Sequence, residues 1–172
     1  MKRWLRLVPL ALALLATPSC HDEPLEVAPD LDIQRFQGNW YEIAKLPRAT
    51  QSDCAATTAS YMRLSDSELV MVNSCHLGSV DGPLRTVSAR ARIEDPSAPA
   101  KLAVDFGGFF GAYWVIEVGA HYEYAVVGHP TRDYLWIVSR TPTLPAGVLS
   151  GILERAHAKK FDVNRLQFTV QK

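Results

Sequence analysis

From residue 39 onward the chain is a succession of short runs rich in Val, Ile, Tyr, Trp and Thr, cut apart by clusters of Gly, Pro, Asp and Ser. This is the vocabulary of strands and turns. Strands are expected near residues 39–46, 55–64, 68–75, 84–94, 101–106, 112–118, 122–129 and 134–140. The links between them are too short to hold crossover helices, so each strand must pair antiparallel with the next, as a meander. An open meander exposes two unpaired edges, and joining the first strand to the last removes both. The expected fold is therefore all-β, an eight-stranded antiparallel up-and-down β-barrel, whose interior is just wide enough for one small ligand.

The turns support this division. Ser65-Asp66-Ser67 suits a tight hairpin, Asp81-Gly82-Pro83 and residues 95–99 (DPSAP) end strands, and residues 129–133 (HPTRD) join the last two. Residues 107–111 (GGFFG) superficially resemble a phosphate-cradling loop, but a strand follows them and no Gly-Lys-Ser/Thr is present. A glycine-rich hairpin is the better reading, with Phe109 and Phe110 either lining a barrel end or making a simple turn contact. After the strands, Pro145 stands near a helix start, and Leu149, Ile152, Leu153 and Ala156 form one apolar stripe. His157, Lys159 and Lys160 suit the negative end of that helix. The C-terminal α-helix should pack outside the barrel, and residues 166–170 (LQFTV) should add a short ninth strand. Residues 31–36 are expected to form a turn of helix closing one barrel end, with Ile33 and Phe36 inward.

The N-terminus obeys different rules. Lys2, Arg3 and Arg6 precede ten apolar residues, 7–16 (LVPLALALLA), which is the core of an export signal and too short to span a bilayer. With this leader removed, 15 basic residues face 18 acidic ones, a charge of −3. Such a body has no basic excess to neutralise phosphates, which argues against nucleic acid as a partner. Residues 1–19 are read as the signal peptide. Cys20 follows directly and resembles the acylated cysteine of bacterial lipoproteins: Ser19 suits the preceding position, whereas Pro18 and Thr17 depart from the motif. Ordinary cleavage near Ala16 or Ser19 is the alternative. If Cys20 is acylated, its chains anchor the protein to a membrane, and residues 20–31, acidic and with two prolines, form a tether. Cys54 and Cys75 are expected to pair in the oxidising environment that export implies, closing a loop worth about 3 kcal/mol. The five histidines show no CxxC, HxxxH or HExxH spacing, so no metal site or cofactor is expected.

Three motifs in order carry a family resemblance. Residues 38–44 (GNWYEIA) look like a Gly-x-Trp motif at the start of a first strand, with Gly38 and Trp40 its key residues. Residues 131–134 (TRDY) resemble Thr-Asp-Tyr with an inserted arginine, so that Asp133 and Tyr134 match, and Arg140 resembles the arginine that precedes the helix. In these features the chain resembles the lipocalins, in their bacterial outer-membrane and apolipoprotein D branch, across residues 32–172, read as one domain. The resemblance implies that Arg140 lies over the Trp40 indole and plugs the closed end, a cation–π contact of about 1 to 2 kcal/mol. These residues would be scaffold.

Function should then lie in the cavity. If Arg140 points inward, alternation turns Val138 and Trp136 inward with it. On the sixth strand Tyr113, Val115 and Glu117 share one face, and Trp114, Ile116 and Val118 the other. Both faces are apolar. The expected assignment turns Tyr113 and Val115 inward and leaves Trp114 under the helix, which makes Trp136, Val138, Tyr113 and Val115 the candidate ligand-binding residues. The resemblance implies a carrier of a fatty acid or lysophospholipid in the cell envelope, as an outer-membrane lipoprotein facing the periplasm or, unanchored, as a soluble exported protein. An enzyme acting on bound lipid would need an acid–base pair or nucleophile in the cavity. The sequence offers only Glu42 or Glu117 for that, and no catalytic residue is assigned. A filled barrel that binds a protein partner is the third reading.

Overall fold

The computed structural model describes residues 23–105 and 107–172. The leader and Cys20 lie outside the described residues. Eight strands, β1 (Gly38–Lys45), β2 (Cys54–Arg63), β3 (Glu68–Leu77), β4 (Leu84–Ile93), β5 (Lys101–Asp105), β6 (Phe110–Val118), β7 (Tyr124–Gly128) and β8 (Leu135–Ser139), pair antiparallel in sequence order. β1 meets both β2 and β8, so the sheet closes. The long strands are β2, β3 and β4, each of ten residues.

Alternation divides the apolar side chains into two cores. Inside the barrel Trp40, Tyr61, Leu69, Met71, Leu102, Val104, Tyr113, Val115, Val127 and Trp136 pack together. Outside it, Ile43, Ile116, Val126, Leu135 and Ile137 meet α2 (Ala146–Ala158) through Ile152 and Ala156. Trp114 belongs to this outer cluster, so Tyr113 and Val115 do face inward. Pro145, as expected, stands at the helix start.

Two bulges override strict alternation. In β6 the register shifts between Val115 and Glu117, because Val115 pairs with Val127 while Glu117 pairs with Val126. Glu117 therefore shares the outer face with Trp114 and Ile116, contrary to the period-two expectation, and Val118 turns toward the interior. Its carboxylate holds Arg155 of α2 at 2.7 Å. In β1 a second shift between Glu42 and Ala44 lets both Glu42 and Lys45 face inward, opposite Val138 and Trp136. An extra residue in one strand resets its phase by one, which the sequence pattern does not reveal.

The ends of the chain complete the shell. The ninth strand, β9 (Gln167–Phe168), is shorter than expected and pairs with β1. Beyond it, the chain bridges the gap where β1 and β2 diverge: Thr169 donates its backbone N–H to the Ile43 carbonyl, and Ala56 donates to that of Val170. At the other terminus, the segment read as a tether is packed onto the barrel from Leu25 onward, with Leu25, Ala28 and Leu31 buried. It leads into α1 (Ile33–Phe36), capped by the Asp32 carboxylate, whose Ile33 and Phe36 are buried as expected.

Candidate functional site

The closed end is a plug built from the motif residues. The Arg140 guanidinium lies 3.6 Å from the Trp40 ring centroid. It also donates to the carbonyls of Arg35, Gln37 and Asn39 at 2.7 to 2.8 Å. Trp40 Nε1 donates to the Phe36 carbonyl, so the indole is held from both sides. Gly38 adopts φ +90°, where a side chain would strain the backbone, and it lies directly beside the Arg140 guanidinium.

Above the plug the interior is filled. Phe36, Tyr61, Tyr113 and Trp136 form a chain of tilted aromatic contacts with centroids 4.7 to 6.4 Å apart. The Tyr61 and Tyr113 hydroxyls are hydrogen-bonded to each other at 2.5 Å. Burial pushes both phenols up, Tyr113 to about 12, so they remain neutral donors and acceptors. Glu42 and Lys45, both buried, form an ion pair at 2.6 Å, and Thr169 Oγ1 donates to the same carboxylate oxygen.

The open end holds a cavity of about 480 Å³, within the range of small-molecule sites. Its walls come from the β1–β2 loop (Arg48, Gln51), from β2 and β3 (Thr57, Met71, Asn73, Cys75) and from β4 (Arg85, Val87, Ala89). Below it lies a further space of about 40 Å³, bounded by Glu42, Tyr113, Trp136 and Val138 and sharing Thr57, Met71 and Asn73 with the cavity above. Trp136, Val138 and Tyr113 thus form the floor, while Val115 is packed in the core and lines neither space. Asp133 and Tyr134 belong to the β7–β8 turn at the rim. Asp133 accepts from Thr131 Oγ1 at 2.7 Å, and Tyr134 stacks on Trp136 with 6.2 Å between centroids. The Arg48 guanidinium lies 4.9 Å from the Tyr134 ring and 5.2 Å from that of Trp136.

Two polar atoms stand out. Thr57 Oγ1 and Gln51 Oε1 are buried without a hydrogen-bond partner, and both residues line the cavity and the space beneath it. A buried polar group left unpaired costs about 1 to 3 kcal/mol. The pair was not legible in the sequence, where no motif or spacing singles out Thr57 or Gln51. Cys54 and Cys75 form the expected disulfide, with Cα atoms 5.4 Å apart, and Arg85 Nη2 lies 3.0 Å from the Cys54 sulfur. Among the described residues no three His, Cys, Asp or Glu side chains converge to hold a metal.

The barrel has known counterparts. The family model described as a lipocalin-like domain matches residues 31–171. The chain belongs to the lipocalin family. It is 31% identical over 171 residues to the outer membrane lipoprotein Blc of Vibrio cholerae, with 97% of this chain and 99% of that one covered. It is 27% identical to mouse apolipoprotein D, covering 88% of this chain and 82% of that protein. Among solved structures, insecticyanin from the tobacco hornworm Manduca sexta superposes with a TM-score of 0.68 at 22% identity, over 86% and 85% of the two chains. That likeness shows the fold.

Proposed function

We propose that this lipocalin carries a single amphiphilic lipid, a fatty acid or lysophospholipid, in the open half of its barrel. The observation that carries the reading is the pairing of an apolar floor with unpartnered polar atoms above it. Trp136, Tyr113 and Val138 close the bottom, Met71, Val87 and Ala89 offer apolar wall, and Thr57 and Gln51 wait with unmet hydrogen bonds. Withdrawing an acyl chain from water provides the driving force at about 0.8 kcal/mol per methylene, offset in large part by ordering and association costs. A carboxylate or ester oxygen would accept from Thr57 Oγ1, a hydroxyl would donate to Gln51 Oε1, and a headgroup carrying both would be fixed in orientation. Arg48 and Arg85 supply positive charge to the same walls and favour an anionic group.

A carrier fits the carboxylates better than an enzyme does. Glu42 is ion-paired with Lys45 and accepts a hydrogen bond from Thr169, and Glu117 lies outside the barrel against Arg155. Neither is placed as a general acid or base. We further infer that Cys20 is acylated and anchors the protein in the cell envelope as an outer-membrane lipoprotein facing the periplasm. The leader, the cysteine behind it and the similarity to outer membrane lipoproteins of the Blc type support this.

Native mass spectrometry of the mature protein, delipidated and offered a panel of fatty acids and lysophospholipids, tests the carrier reading. Discrete one-to-one adducts, weakened in Trp136→Ala, are the expected result. A folded protein that takes up none of them would overturn it and favour a filled, partner-binding barrel.

A further inference from the structure

The described chain begins beside the open end of the barrel. The Glu23 carbonyl accepts a hydrogen bond from Arg132 Nη2 at 2.6 Å, and Glu26 Oε2 lies 3.6 Å from Lys159 Nζ. Arg132 belongs to the β7–β8 turn, on the same rim as Tyr134 and the cavity mouth, and its Nε donates to the carbonyl of Lys159 just past α2. From that corner the segment runs down the outer wall. Leu25 is buried in the cluster under α2, Ala28 donates its N–H to the Val115 carbonyl at 2.9 Å, and Asp32 donates to the Tyr122 hydroxyl at the closed end. It is therefore fixed along its length, and it cannot swing to offer its start to the closed end without losing these contacts.

We propose that the open end of the barrel faces the bilayer that holds the acylated Cys20, so that lipid passes between leaflet and cavity without crossing bulk water. The proposal rests on the anchor reading above. Its basis is reach. Three peptide units separate Cys20 from Glu23, which at full extension is about 11 Å. By contrast, the eight residues of β1 alone span about 26 Å along the strand. An anchor at Cys20 thus holds the β7–β8 corner at the membrane surface and leaves the closed end turned away.

The rim is suited to that surface. Leu84, the first residue of β4, and Phe109, on the β5–β6 turn, are each 64% exposed beside the mouth. In water such side chains are a cost, and at a headgroup boundary they bury apolar area. The rim also carries both signs of charge, with Arg48, Arg85 and Arg132 set against Asp53, Asp81 and Asp133. Attraction there is accordingly by anchor and apolar contact rather than by a basic patch.

The test uses the full chain, processed in an exporting bacterial host and placed on phosphatidylethanolamine–phosphatidylglycerol vesicles that contain a nitroxide-labelled lipid. Single cysteines at exposed positions, Leu84→Cys at the open end and Leu64→Cys at the closed end, carry a fluorophore, because the paired Cys54 and Cys75 do not react. Intact mass establishes whether Cys20 is acylated. With acylation, several-fold stronger quenching at residue 84 than at residue 64 is expected. Acylation with equal or stronger quenching at residue 64 overturns the orientation and leaves the anchor standing. An unmodified Cys20 overturns the anchor reading and the orientation together.

Discussion

Replacing Arg140 by alanine removes the cation from a stack in which it lies 3.6 Å from the Trp40 ring. That contact is worth about 1 to 2 kcal/mol where sheltered. The guanidinium also donates to four carbonyls, two of them, those of Gln37 and Tyr122, in partly buried positions. Counting about 1 kcal/mol for each sheltered bond and nothing for the exposed ones, the loss is about 3 kcal/mol. A domain of this size shifts by about 2 to 4 °C per kcal/mol, so Tm should fall by about 9 °C. Arg140→Lys keeps the charge but not the planar fork, and should fall between the two. The assay is thermal unfolding by near-ultraviolet circular dichroism, paired with lipid titration of each variant at 20 °C below its own Tm. The plug lies at the end opposite the cavity, so affinity should be unchanged. A Tm within about 2 °C of wild type would refute the energetic reasoning, since that is less than 1 kcal/mol on the same scale. A selective loss of binding in a stable variant would refute the division between plug and cavity.

Thr57→Val should leave the unliganded protein equally stable or slightly more so, because the hydroxyl it removes has no partner. Calorimetric titration should nonetheless show weaker binding of a fatty acid, with binding of a purely apolar dye unaffected. Opening the disulfide with Cys54→Ala and Cys75→Ala should cost about 3 kcal/mol in denaturant unfolding, an entropic loss from freeing the loop between them. Acidification should loosen the β7–β8 turn. Burial holds the His129 pKa below its ordinary value, and its Nδ1 accepts from the Thr131 backbone N–H. The folded state thus binds its proton less readily than the unfolded chain. Stability is full above the ordinary histidine range and declines as pH falls through it, an effect that His129→Gln should reduce when unfolding is followed from pH 7.5 to 5.

Strand order was legible from local pattern, closure from the need to remove two sheet edges, and the plug from the family resemblance of its motif residues. Period-two alternation between turn residues marks a strand wherever one face is buried, and links too short for a helix leave antiparallel pairing as the solution. Trp136 and Val138 followed by alternation from an inward Arg140, which the family resemblance implied, whereas alternation alone did not decide the face of Tyr113 because both faces of its strand are apolar. The same alternation puts Glu117 on the face of Tyr113 and Val115, the wrong one, because the bulge beside it inserts one residue and reverses the phase of everything after it. Cavity-lining polar residues such as Thr57 and Asn73 also gave no signal, since a polar side chain facing a cavity breaks the alternation that would have revealed it.

The N-terminal segment shows the same division. Its acidic, proline-containing composition reads as a tether, and only packing shows Leu25, Ala28 and Leu31 buried against the barrel. What the amino-acid order determined by itself was the set of strands, their sequential pairing and the outer helix, which follow from neighbours close in the chain, while the cysteine pair followed from the export signal and the closed-end residues from the family motifs. The tertiary structure decided which space stays open. A cavity is the volume left after side chains from β1, β2, β3, β4, β6 and β8 have packed, and that difference between barrel interior and summed side-chain volume depends on contacts distant in sequence.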